Sequence, residues 1–510
     1  MTNSNTIMKP CLYALLVVVL GMSALPARAY LKVETVPLPE GTPPEIGALA
    51  FDPDGKLYVA TRRNDIFVAT PASDPNAFEW KLFASGFHNA LGMEAPAPGH
   101  LLVTQMAELT EVIDTDADGS ADTYNNLNNE IGLSGNYHET NGLCPDGDGG
   151  YFIAAGTASH NGPTFWKTHG KYSKIGRRGR NYSAVQWKGW VMHYKKAISG
   201  RAAGDQRERK RSLAGQASLI PYASGFRMQN GILRDSKGRL WCGDNQGDFR
   251  ATSPLYLVEK GNFYGHPSSL VWDKNFPKNK DPLNIPQKEL DEMRTHATVL
   301  IPHAEMNRSC AEPAEIPAAF GIFPGQLIIA DNNNTRITRI MLDEVGGKLQ
   351  GSCTHFINGL GLRTGNNRLE WSPDGKQLYV GQTVRGWGKP SEGIQRLSFT
   401  GKTPFDVEQI KLTKTGFELT TTLPVANLDE AEISINSFHY QDSFKYGGGQ
   451  LDKKTIPVTK AASTADKTVT IDLESLQAGK VYHINIKNLK SKDGSKLHNE
   501  NFYYTANQLR

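Results

Sequence analysis

Beyond its first 29 residues this chain of 510 has no apolar run long enough to cross a bilayer, so no membrane span is expected in the rest. The early run, residues 11–25, is too short for a comfortable span. Lys9 precedes it and Ala27-Arg28-Ala29 follows, the pattern of a cleaved export signal with a mature start at Tyr30. Cys11 opens that run rather than closing it, which argues against a lipid anchor there. The reading is a periplasmic or secreted protein. Charge of one sign is also missing. Outside residues 1–29 there are 54 basic and 52 acidic residues, which excludes the footprint of a nucleic-acid binder. Two basic stretches, 171–183 and 201–212, read as solvated loop insertions, with polyanion binding as the alternative. Cysteine is scarce: Cys144, Cys242, Cys310 and Cys353 remain. No Cys-x-x-Cys-His occurs, so no c-type haem is attached. Export permits disulfides, and Cys310–Cys353 is the favoured pairing, with Cys144 and Cys242 as buried thiols.

What the chain does have is a repeat. A turn rich in Pro, Asp and Gly precedes an apolar strand and a polar exit. The copies are FDPDGKLYVATR (51–62), APGHLLVTQ (97–105), CPDGDGGYFIAAG (144–156), RDSKGRLWCGDN (234–245), FPGQLIIADN (323–332) and WSPDGKQLYVGQT (371–383). Each alone is an ordinary hairpin signal. Six at intervals of tens of residues point to a β-propeller, whose blades bury their faces only by stacking radially. The wide gaps after the third and fourth copies read as insertions, with a seventh blade as the alternative. After residue 404 the pattern becomes short alternating strands. The expected architecture is therefore all-β: a six-bladed β-propeller over 30–404, then a small antiparallel β-sandwich over 405–510.

Three stretches carry chemistry. In DTDADGSADTYNN (114–126), Asp114, Asp116 and Asp118 alternate and Gly119 permits a sharp turn. The Ser120 carbonyl and Asp122 complete an oxygen-rich loop for calcium, in a structural role. Position twelve is Asn125, not the Glu of an EF-hand. In SGFRMQNGI (224–232), Arg227 stands where an inner strand begins, and Asp244 to Asp248 stand at an exit. An arginine fork there suits a carboxylate or a flat conjugated carbonyl, or an inter-blade salt bridge. In GNYHETNGLCPDGDGGYFIAAG (135–156), His138 precedes a strand pair, the place of a base or of a merely structural histidine.

These stretches resemble the glucose/sorbosone dehydrogenase family, six-bladed propellers that hold pyrroloquinoline quinone (PQQ) and calcium at the channel mouth. HETNGLCPDGDGGYF is similar to that family's catalytic-histidine segment, with shifted spacing. GFRMQNG is similar to its G-x-R-N-P-Q-G segment. NQGD (245–248) and KGNFYGHP (260–267) are similar to its calcium and turn segments. The resemblance implies His138 as general base and Arg227 beside quinone and substrate. It implies Gln246, Gly247 and Asp248 near the ion, and Arg336 and Arg368 as clamps for the cofactor carboxylates. The SGFR…NGI…DNQGD…TSPLY…GHP and GWGKPSEGIQRLSFTGKTPF runs, with the C-terminal region, look closer still to an exported branch labelled membrane-bound dehydrogenases. One departure stands out. Where the family has an Asp that orients the histidine, this chain has Thr157, which cannot raise the basicity of an imidazole; Glu139 and His160 are the candidate substitutes.

The expectation is an exported PQQ- and calcium-dependent dehydrogenase of a sugar (aldose) or alcohol. Its electrons leave to a separate acceptor. The alternatives are a non-enzymatic propeller binding a glycan or a protein, and a calcium-dependent hydrolase or lyase.

Overall fold

The structure is a computed structural model that describes residues 30–106, 108–133, 140–157, 169–177, 185–195, 218–384 and 391–510. His138, Glu139, His160 and most of the two basic stretches lie outside the described residues. Among the described residues the only α-helix is Gln287–Met293, and nearly everything else that is regular is β.

The strands form repeated four-stranded antiparallel sheets, the units of a β-propeller. Sheet 1 holds Ile46–Phe51, Leu57–Thr61, Arg63–Ala69 and Lys81–His88. Sheet 2 holds Gly92–Ala97, His100–Gln105, Glu108–Ile113 and Thr123–Asn128. Sheet 3 holds Thr140–Pro145, Tyr151–Ala155, Trp190–Lys195 and Ser218–Ser224. Sheet 4 holds Gln229–Arg234, Leu240–Asp244, Ser253–Leu257 and Val299–Ile301. Sheet 5 begins with Cys310–Glu315, Leu327–Asp331, Arg336–Val345 and Lys348–Asn358. Sheet 6 holds Asn366–Trp371, Gln377–Gln382 and Gly393–Phe399, and its outer edge is the N-terminal strand Leu31–Val36, paired along its length with Gly393–Phe399. The first strands of neighbouring sheets pack in order, and that of sheet 6 returns to that of sheet 1. Apolar clusters fill the gaps, from Tyr58 and Ile66 against Met93 and Leu101, round to Tyr379 and Ile394 against Ile46 and Val59. This radial stacking leaves few bare sheet faces.

All six sequence copies fall on the hairpin between a first and a second strand. In four of the copies a turn aspartate explains why. Asp146 accepts from the Asp148 and Gly150 amides, and Asp235 from those of Lys237 and Arg239. Asp374 accepts from the Lys376 amide and Asp52 from that of Lys56. Such side-chain turns fix the hairpin before any packing occurs.

Two expectations change. Sheet 5 does not stop at its fourth strand, because Gly351–Cys353 pair with Tyr503–Thr505. The sheet continues through Lys480–Lys487, Glu432–His439 and Leu451–Thr455 to eight strands. Four strands of the C-terminal region thus extend a propeller sheet across the expected boundary at 404/405. Val407–Leu412, Gly416–Thr421, Thr468–Leu473 and Val458–Ala465 form a further sheet, and Phe417, Ile471, Ile484 and Tyr504 share a core between the two. Second, all four cysteines are free and buried. Cys310 and Cys353 lie on the first and fourth strands of sheet 5, three strand spacings or about 14 Å apart, beyond disulfide reach.

Candidate functional site

The first strands begin at one mouth of the ring, and Arg227 stands there just before Gln229–Arg234. Asp244, fully buried, fixes it: the carboxylate accepts from the amides of Arg227 (2.9 Å), Met228 (2.6 Å) and Asn245 (3.0 Å) and pairs with Arg250 at 2.8 Å. Thr157 holds the segment from the other side. Its amide and hydroxyl both donate to the Arg227 carbonyl, at 2.7 and 3.0 Å. Thr157 is therefore a clip on the arginine segment.

The Arg227 side chain is nine-tenths buried, yet its Nε makes no hydrogen bond among the described residues. Asp248 is 4.0 Å away, and the Tyr446 ring lies over the guanidinium at 5.1 Å. Gly247 lets the guanidinium lie where it does, since a Cβ there would overlap it and displace the Arg227 side chain. Around the same starts of the first strands, Thr140 Oγ1, Asn141 Oδ1, Gln229 Oε1, Asn230 Oδ1 and Asn245 Oδ1 are buried without a hydrogen-bond partner among the described residues. Orphaned polar atoms cost stability and mark places where a polar ligand or water is taken. Thr140, Gln229 and Asn230 gave no signal of their own in the sequence, being ordinary polar residues at the ends of strands. His266 is fully buried close by, and burial with the cations Arg250 and Arg227 pushes its pKa well below the usual value, leaving a neutral imidazole.

The structure separates the other expected residues. Arg368 is not at the mouth. It is buried within the ring, donating to the carbonyls of Gly47 (2.8 Å), Leu91 (2.6 Å), Asn230 (2.7 Å) and Asn367 (2.8 Å). Arg336 is a corner brace, bonded to Asp331 and to the carbonyls of Glu305 and Ala304. Both guanidiniums are engaged by the protein itself, where the resemblance implied clamps for cofactor carboxylates. The 245–248 turn also differs from an ion site. The Gly247 carbonyl accepts from the Gly447 amide, the Gln246 side chain donates to the Ala251 carbonyl, and the Arg227 cation sits against Gly247. Of the residues expected to hold a quinone, Arg227 alone fits, through its unbonded buried Nε. His138 lies outside the described residues.

The acidic loop is elsewhere, between the third and fourth strands of sheet 2. Asp114, Asp116 and Asp122 bring ligand atoms within 4.8 Å of one another. Asp118 is not in that group; it accepts from the Ser120 amide. Hydrogen bonds from Thr123 and Thr115 hold the Asp122 carboxyl below its ordinary range.

With this geometry in hand, the fold can be compared. No protein-family model and no curated protein matches the chain. Solved structures do. A carbohydrate-active enzyme of family AA12 from Trichoderma reesei superposes with a TM-score of 0.51 at 12% identity, over 74% of this chain and 98% of that one. The chain has that fold. A PQQ-bound aldose sugar dehydrogenase from Streptomyces coelicolor is similar at TM-score 0.47 and 15% identity, over 73% and 99% of the two chains. A glucose dehydrogenase from Thermus thermophilus is similar at 0.47 and 17%, over 72% and 99%. A shared fold does not give an activity, which must be argued from the site. Among the described residues, no helix is long and apolar enough to cross a membrane.

Proposed function

We propose that the chain is an exported dehydrogenase of a sugar or alcohol, built as a six-bladed propeller with a C-terminal sandwich. The six sheets with packed first strands support the blade count, and the core between the two C-terminal sheets supports the sandwich. The leader-like residues 1–29 support export. The observation that carries the activity is the mouth itself: a buried arginine with an unbonded Nε, among buried carboxamide oxygens without partners. Such a set takes a polyhydroxy ligand, whose hydroxyls donate to the oxygens and accept from the guanidinium. Pyrroloquinoline quinone would supply the two-electron acceptor that no side chain can. The Arg227 guanidinium would hold it and stabilise negative charge at that point. Asp244 and Thr157 keep Arg227 in place. His138 is the base that takes the proton of the reacting hydroxyl, and electrons pass on to a separate carrier.

The test is titration of the mature protein with pyrroloquinoline quinone and calcium, followed by dye reduction with a panel of aldoses. Stoichiometric quinone binding is expected. Turnover should vanish in His138→Ala and fall about 100-fold or more in Arg227→Ala. No quinone binding at micromolar concentration sinks the reading.

Calcium belongs to the same proposal as a structural ion at Asp114, Asp116 and Asp122. Saturating calcium should stabilise the protein by about 2–3 kcal/mol at one hundred times Kd, seen as a higher Tm that a chelator reverses. Asp116→Asn should remove that response and leave turnover with bound quinone nearly unchanged. A Tm indifferent to calcium would reject the ion.

A further inference from the structure

The mouth is completed from an unexpected place. After Glu432–His439 the chain crosses back over the 245–251 turn as a strap, residues 440–450. It is pinned along its length. The Asp442 carboxylate accepts from the Ala251 amide (2.7 Å) and pairs with Arg294. The Phe249 amide donates to the Ser443 carbonyl (2.8 Å), and Phe444 packs edge-on against Phe249. Asp248 and Tyr446 form an antiparallel bridge, and the Gly447 and Gly448 amides donate to Gly247 and Ala251. The result is an aromatic residue with a fixed backbone and an exposed face. Tyr446 is 57% exposed while its ring lies over the Arg227 guanidinium. Phe444, two residues earlier, is 44% exposed. Two exposed aromatic rings, two residues apart, thus stand on one restrained strap.

We infer that Tyr446 is a stacking platform beside the mouth, one side of its ring seated on Arg227 and the exposed side taking the C–H face of a pyranose ring. An aromatic ring offers a flat apolar face with a negative quadrupole, which suits the weakly positive C–H face of a sugar. The strap makes the C-terminal region part of the binding site. The inference rests on the sugar reading above, but not on the quinone or on turnover.

The test uses the mature protein without quinone. Binding of D-glucose, D-xylose and cellobiose is followed by saturation-transfer NMR, with Tm recorded for every variant. At least one sugar should receive saturation from wild-type aromatic protons. Tyr446→Phe, which keeps the ring, should bind within about twofold of wild type. Tyr446→Leu, which keeps bulk but has no ring face, should bind at least about tenfold more weakly with a Tm close to wild type. No saturation transfer to any of the three sugars, or equal binding by the leucine variant, overturns the inference. Because no quinone is present, a protein that binds sugar but no quinone would reject the dehydrogenase and leave the platform standing. Quinone turnover unaffected by Tyr446→Leu would do the reverse.

Discussion

Replacing Arg368 by alanine is expected to cost about 4–5 kcal/mol of folding stability, the largest single-residue effect in the propeller. The guanidinium is fully buried and joins the first strands of sheets 1, 4 and 6 and the residue before the first strand of sheet 2. Its loss takes a donor from four buried carbonyls, of which that of Leu91 keeps the Gly142 amide, at about 1–3 kcal/mol for each one left unpaired before relaxation and water entry reduce the sum. Arg368→Lys should recover part of this, since an ammonium reaches fewer of the four oxygens than a planar fork. Urea denaturation of the two variants measures it. The same experiment separates a brace from a ligand clamp. A clamp variant would keep its stability and lose ligand affinity; a loss under about 1 kcal/mol would show that Arg368 does not hold the ring.

The repeat was legible in the sequence because its signal is local. Four of the six copies carry a turn aspartate that bonds amides two or four residues ahead, and that chemistry needs no distant partner. The place of Arg227 was legible for a similar reason, since the GFRMQNG stretch leads straight into a first strand. The roles of Arg336 and Arg368 were not. Both stand near strand starts, as Arg227 does, but their fate depends on which carbonyls they meet across the ring, up to 321 residues away in the chain. The strap was hidden for the same reason. Nothing in residues 440–450 announces a contact with residues 245–251, and the eight-stranded sheet that brings them together joins Gly351–Cys353 to Tyr503–Thr505. The disulfide expectation failed on geometry that only a sheet order supplies.

Stability should fall as pH rises from about 4.5 to about 8. Beyond Arg368 the ring encloses a cavity of about 290 Å³ lined by the first strands of all six sheets. Three carboxyls share it: Glu94 from sheet 2, Glu312 from sheet 5 and Glu370 from sheet 6. Removal from bulk water and the charge of Glu312 push Glu94 up to about 8. Removal from water with the charges of Glu94 and Glu312 pushes Glu370 well above the usual carboxylate range. Glu312 is raised too, though Arg368 and a hydrogen bond from the Leu369 amide oppose the shift. Arg234 and Arg368 are the cations lining the same space. A carboxyl with a raised folded-state pKa binds its proton more tightly in the native state, so ionisation favours unfolding. The penalty is absent below the unfolded value, grows through the window and is complete above about pH 8, amounting to a few kcal/mol for Glu94. Glu94→Gln, neutral throughout, should flatten the profile and exceed wild type in stability at pH 8. Asp122, held below its ordinary range by Thr123 and Thr115, contributes outside this window. Denaturant midpoints at pH 5, 6.5 and 8 for wild type and Glu94→Gln decide the matter. Parallel profiles would mean that water in the cavity solvates the carboxylates and that the three glutamates carry their charge at neutral pH.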